Sequence, residues 1–147
     1  MSAFLAALVA ALGVQTSATS SAAIAWLHDE AKAVRQSRIT GKALLIDFRA
    51  DWCSACKMLD KHTWADPAVQ DEVKARFVPL SLDMSDESAA TGRLAKRYEI
   101  AGLPTVVIMV CKNAARQAGC TPPREGQGHF TGYVPPSEML ELLQAVR

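Results

Sequence analysis

Ala50-Asp51-Trp52-Cys53-Ser54-Ala55-Cys56-Lys57 sets two cysteines three positions apart, a spacing that lets a disulfide close and reopen at the start of a helix. Upstream, Ala43 to Phe48 is an apolar run of strand length; downstream, Lys57 to Trp64 suits a helix. The pair therefore falls at a strand-to-helix turn. Disulfide exchange is carried by the thiolate, and a helix amino end favours negative charge through its unpaired N–H groups and dipole. Cys53 holds that end and is the expected nucleophile. Cys56, one turn into the helix and facing inward, is the expected resolver of a mixed disulfide formed at Cys53.

Cys-x-x-Cys is also half of a zinc site, but a tetrahedral centre needs two further ligands, usually a second close pair. Cys111 and Cys120 are not so spaced, and His62 reads as a solvated helix side chain. Neither a metal nor a cofactor is expected, the redox centre being the Cys53–Cys56 disulfide itself; an inert structural disulfide is the remaining alternative.

The flanking chain is 147 residues long, half hydrophobic, with a formal charge of +1, which is material for one domain and one core. Its 16 basic and 15 acidic residues are interspersed, so there is no electrostatic footprint for nucleic acid. A monomer is expected. Residues 1–21 are set apart: an apolar run from Ala3 to Leu12, too short to span a bilayer, precedes a Ser/Thr-rich linker with alanines spaced as a signal peptidase accepts. No Lys or Arg precedes the run, so three readings stand: a signal peptide, the tail of a preceding membrane helix, or a helical cap on the fold. The first two place the domain outside the cytoplasm.

The folded unit is expected over residues 22–147. Ile24 and Trp26 read as a short extended piece. A helix from about Asp29 to Ser37 has Leu27, Ala31 and Val34 spaced for one apolar face. Ala43 to Arg49 is the central strand. Asp66 caps a helix with Pro67 in its first turn and Val69 and Val73 inward. Phe77 to Leu82 is a second buried strand, and Ser85 or Asp86 caps a helix to about Tyr98. Thr105 to Val110, unbroken Val/Ile/Met after its first residue, is interior to the sheet. Phe130 to Tyr133 is an edge strand, and a final helix from Ser137 to about Val146 buries Met139, Leu140, Leu142 and Leu143. This order describes an α/β sandwich of three layers, a mixed central sheet flanked by helices.

Cys111 ends the third strand and Cys120 lies in a Gly/Pro-rich connection. A structural disulfide between them would staple a long hairpin connection and contribute roughly 2–3 kcal/mol. It requires an oxidising compartment. Two free thiols in a reducing one are the alternative. Asp47 sits six positions before Cys53 on an otherwise apolar strand, where desolvation raises a carboxyl's pKa towards neutrality; a solvent-facing strand-end Asp is the competing reading.

Two motifs in order, Asp47-Phe48-Arg49-Ala50-Asp51-Trp52-Cys53 through Lys57 and then Gly102-Leu103-Pro104-Thr105, resemble the thioredoxin-fold proteins. Ala50-Asp51-Trp52-Cys53, Ala55-Cys56-Lys57, and Asp66-Pro67 followed by Val69 resemble more closely the C-terminal periplasmic domain of the thiol:disulfide interchange proteins DsbD. The resemblance covers about residues 22–147. It implies that Asp47 is the buried acid that takes the resolving thiol's proton, and that Asp60, where that family has Glu, is an acidic group near the site. It further implies that Pro104 is a cis-proline facing the cysteines, that the Leu103 backbone pairs with a bound peptide, and that Trp52 is an exposed platform rather than a core aromatic. Two departures stand out. Ser54-Ala55 replaces the Gly-Pro of thioredoxins, which leaves the potential open. Arg49 replaces an aromatic, and is either a cation acting on Cys53 or on an acidic partner, or a solvated strand end.

The resulting expectation is a protein-disulfide reductase in a periplasmic or otherwise extracytoplasmic setting, with the electron transport of cytochrome c biogenesis as its context. It would take electrons from a dithiol donor, a membrane domain among the candidates, and pass them to disulfide-bearing proteins. An oxidant or isomerase on the same fold, and a redox-passive binding module, are the alternatives.

Overall fold

The computed structural model describes residues 23–114, 117–122 and 128–146. The signal-like segment, residues 1–21, lies outside them. After residues 23–29 the order is α1 (Glu30–Thr40), β1 (Ala43–Arg49), α2 (Ser54–Met58) running into a π-helical turn (Leu59–Thr63), α3 (Pro67–Arg76), β2 (Phe77–Asp83), α4 (Ala89–Arg97), β3 (Thr105–Ala114), β4 (Gln117–Thr121), β5 (His129–Thr131) and α5 (Pro136–Ala145).

β1 lies between β2, to which it is parallel, and β3, to which it is antiparallel. β4 and β5 are both antiparallel to β3, opposite Val110–Ala114 and Thr105–Val107 respectively. The sheet is therefore mixed, and β3 is interior, as its unbroken apolar run predicts. Leu27 adds one parallel bridge beyond β2, its N–H donating to the Pro79 carbonyl at 2.9 Å and its carbonyl accepting from the Ser81 N–H at 2.8 Å. Pro79, which has no N–H, is accommodated on this sparsely paired edge.

Alternation along β1 sorts the core into two layers. Leu44, Ile46 and Phe48 face α1 and α4, packing with Ala33, Val34, Leu94 and Tyr98. Leu45 faces the other way, with Leu59, Trp64, Val69, Val73, Met139 and Leu143 from the active-site helix, α3 and α5. The result is the three-layer α/β sandwich that the order of elements predicts.

Caps account for most boundaries. Asp29 caps α1 through the Lys32 N–H, and Gly41 ends it at φ 72°, a left-handed conformation that glycine adopts without a Cβ clash. Asp66 caps α3 through the Ala68 and Val69 N–H groups, with Pro67 in the first turn. Two expectations are corrected. The inward face of α1 is Ala33 and Ser37, with Val34 half-buried and Ala31 exposed; Leu27 precedes the helix and bridges to Leu80, so its spacing to Ala31 and Val34 defines no helix face. The cap of α4 is Ser88 rather than Ser85 or Asp86: Ser85 is held by Asp83, and Asp86 accepts from the Ser88 N–H and the Thr91 hydroxyl. The connection after Cys111 also differs from a plain loop, since it contains β4.

Candidate active site

β1 delivers the chain to the site through Arg49 and Ala50, and α2 begins at Ser54 with Cys53 as its N-cap residue. Cys53 and Cys56 are bonded, with Cα atoms 5.3 Å apart. Cys53 Sγ accepts the Cys56 N–H at 3.1 Å, so the free amide of the first helical turn is aimed at the sulfur that would carry negative charge after reduction. Both cysteines are buried with Ala50, and Ala55 and Leu103 pack over them. The Leu103–Pro104 peptide bond is cis, and Leu103 packs against the disulfide. The Gly132 N–H takes the Pro104 carbonyl at 2.8 Å, and the Thr105 hydroxyl donates to the Gly102 carbonyl at 2.7 Å.

Trp52 is 68% exposed, beside the disulfide. It is nonetheless anchored: its indole N–H reaches the Ser85 carbonyl at 3.4 Å, and the Asp51 N–H donates to Ser85 Oγ at 2.8 Å. Ser85 is in turn held by the Asp83 carboxylate at the end of β2. Ser85 was not legible as a site residue; a short polar run after a strand, Asp83 to Ser88, is equally a helix start, and only the fold brings it to Trp52.

Asp47 is 2% exposed, on the face of β1 that carries Leu45 and lies under the active-site helix. Burial pushes its carboxyl up to about 7; Asp60 adds to the rise, while Arg49 and the Trp64 indole N–H oppose it. The indole attraction stops short of a bond: Asp47 Oδ1 and Trp64 Nε1 are both buried, and neither completes a hydrogen bond among the described residues. The solvent-facing reading of Asp47 does not hold. Asp60 stands on the π-helical turn, where the Trp64 N–H bonds back to Leu59 rather than to Asp60. The extra residue in that turn keeps Leu59, Thr63 and Trp64 inward and leaves Asp60 at the rim, where it pairs with Arg49 at 2.7 Å. Arg49 is thus neither a free strand-end cation nor bound to Cys53.

Cys111 and Cys120 are bonded directly across the β3–β4 pair, with Cα atoms 4.0 Å apart. They lie beyond the span of β3 that pairs with β1, and Cys111 packs in the layer opposite to the one that holds Leu45. They are not brought to the active site. Among the described residues no three His, Cys, Asp or Glu side chains gather as metal ligands, and no helix is long and apolar enough to cross a membrane.

A disulfide at a helix amino end, a buried carboxylate under that helix and a cis-proline loop against the sulfurs together define a thioredoxin-fold site for thiol–disulfide exchange. The chain belongs to the thioredoxin-like family, whose model matches residues 25–110. It is 43% identical over 67 residues to the thiol:disulfide interchange protein DsbD of Actinobacillus pleuropneumoniae, a match covering 46% of this chain and 11% of that protein. The chain spans between 11% and 21% of the length of such curated relatives. Among solved structures it is similar to a thioredoxin from Thermus thermophilus, with TM-score 0.70, 25% identity, and 85% and 88% of the two chains covered. It also shares its fold with the DsbD C-terminal domain of Neisseria meningitidis in the oxidised form, with TM-score 0.63, 23% identity, and 84% and 100% covered.

Proposed function

We propose that this domain is a protein-disulfide reductase that relays electron pairs through Cys53 and Cys56, on the extracytoplasmic side of a membrane. The observation that carries the reading is the Cys53–Cys56 disulfide seated at the amino end of α2, on a helix whose continuation brings Asp60 and Trp64 to buried Asp47. In the reduced domain the Cys53 thiolate attacks one sulfur of a partner disulfide, and the other partner sulfur leaves with the electron pair. Cys56 then gives its proton to the Asp47 carboxylate and attacks Cys53 Sγ, which releases the second partner sulfur as thiolate. The partner gains two electrons and the domain is left oxidised. Recharging runs the sequence backwards: one thiolate of a donor dithiol attacks Cys53, Cys56 leaves as thiolate and takes the proton back from Asp47, and the second donor thiol then displaces Cys53 as thiolate, which leaves the donor as a disulfide and the domain reduced.

Trp52 and Leu103 supply the apolar surface on which a partner peptide docks, with Pro104 fixing the loop. The likeness to DsbD supports a membrane domain as donor and disulfide-bearing periplasmic proteins as acceptors. The Cys111–Cys120 bond supports an oxidising compartment. The alternative direction, an oxidant, differs in potential alone. The equilibrium potential of Cys53/Cys56, titrated against thiol/disulfide buffers in a variant lacking Cys111 and Cys120, is expected between about −270 and about −200 mV. A value near −120 mV would assign the domain as an oxidant. Cys56→Ser is expected to trap a mixed disulfide through Cys53. A redox-passive module would trap none.

A further inference from the structure

Arg49 ends β1 two residues after Asp47, and the two therefore share a face of the strand. Its guanidinium meets Asp60 Oδ2 at 2.7 Å, and Asp60 rides on the π-helical turn packed over that face. Arg49 faces Asp47 from its own strand, and Asp60 and the Trp64 indole from the active-site helix; the register partners of Asp47 on β2 and β3, Ser81 and Val106, carry no charge. One cation and one anion thus act on a buried carboxyl whose own Oδ1 has no hydrogen-bond partner among the described residues.

The side chains of the pair are 30% and 36% exposed, and an ion pair so placed contributes little to stability. Its two charges still act on Asp47 through an interior of lower dielectric than water. An uncompensated Asp60 would oppose a second negative charge beside it.

We propose that Arg49 is a positioning residue for the proton step at Asp47: its guanidinium, held by Asp60, offsets part of that neighbouring carboxylate's charge, so that Asp47 can both hold and release a proton within one exchange cycle. The proposal rests on the reductase reading. In the forward half the proton leaves Cys56 Sγ for Asp47 as the Cys53–Cys56 bond forms and the partner thiolate departs. In the reverse half it returns as that bond breaks. Arg49 touches no sulfur and acts only through Asp47.

The test exploits the two signs of one ion pair. The Asp47 carboxyl carbon is titrated by NMR in the oxidised full chain as wild type, Arg49→Gln, Asp60→Asn and the double variant. Arg49→Gln is expected to move the Asp47 midpoint up and Asp60→Asn to move it down, each by about 0.5 pH unit or more, with the double variant near wild type. The pH profile for release of a mixed disulfide at Cys53 should move with these midpoints. A merely structural bridge is broken equally by either substitution. Midpoints that move together, or not at all, therefore overturn the proposal. The carboxyl titration needs no turnover, so the two readings fail separately: insulin disulfides left intact by wild type would sink the reductase reading, while intact turnover with unmoved midpoints would sink Arg49 alone.

Discussion

Asp47→Asn is expected to remove a pH-dependent penalty from the folded, oxidised protein. The Asp47 carboxyl titrates at about 7 in the fold, against 3.8 for the unperturbed group. Between those values the folded chain keeps a proton that the unfolded chain has lost. Stability from this group is therefore complete below the unfolded value and is lost as pH rises through the folded one. The loss runs at about 1.4 kcal/mol per pH unit over about three units, or roughly 4 kcal/mol once Asp47 has ionised. With Asp47 2% exposed, solvent does little to screen it. Asn stands in for the neutral acid at every pH. Urea unfolding of both oxidised proteins, from about pH 4.5 to about pH 8.5, cancels all other titrations in the difference. The variant's advantage should grow by roughly 3 kcal/mol across that range. Two curves that stay parallel would mean that Asp47 ionises like an ordinary carboxyl, and the burial argument would fail. The same substitution should slow release of mixed disulfides near pH 7, because Cys56 loses its proton acceptor; unchanged single-turnover rates would contradict that role.

Replacing Cys111 and Cys120 together by Ala should cost roughly 2–3 kcal/mol of unfolding free energy while reductase turnover is retained, because the bond closes only a short loop away from Cys53; lost turnover in folded protein would give the pair a redox role. Asp66→Ala removes the oxygen that accepts the Ala68 and Val69 N–H groups, and should lower stability by about 1 kcal/mol in urea titrations without moving the Cys53/Cys56 potential. Trp52→Ala, at an exposed position, should change stability by no more than about 1 kcal/mol yet raise KM for a disulfide-bearing protein; an unchanged KM would remove Trp52 from the docking surface.

Much of this was legible in the chain because it rests on local rules. The spacing of Cys53 and Cys56, the apolar run of β1, the cap at Asp66 and the uninterrupted run of β3 each depend on neighbours a few residues away. Those neighbours are written side by side. Where local rules compete, the sequence was ambiguous: Ser85 and Asp86 both read as caps, and only the contacts of Ser85 with Asp83 and Asp51, and of Asp86 with the Ser88 N–H and the Thr91 hydroxyl, leave the cap to Ser88.

The sequence alone determined the redox pair, the strand-to-helix placement of its nucleophile, the layer order and the presence of an acid six residues upstream. Tertiary structure alone decided what that acid experiences. Its proton affinity depends first on burial, then on Asp60 and Trp64 carried over it by a helix with a π-turn and on Arg49, which is tied to Asp60. The position of Ser85 under Trp52 and the bond joining Cys111 to Cys120 across the β3–β4 pair were decided in the same way. Burial and Coulomb interactions act between groups that are close in space, and proximity in space is a property of the fold rather than of spacing along the chain.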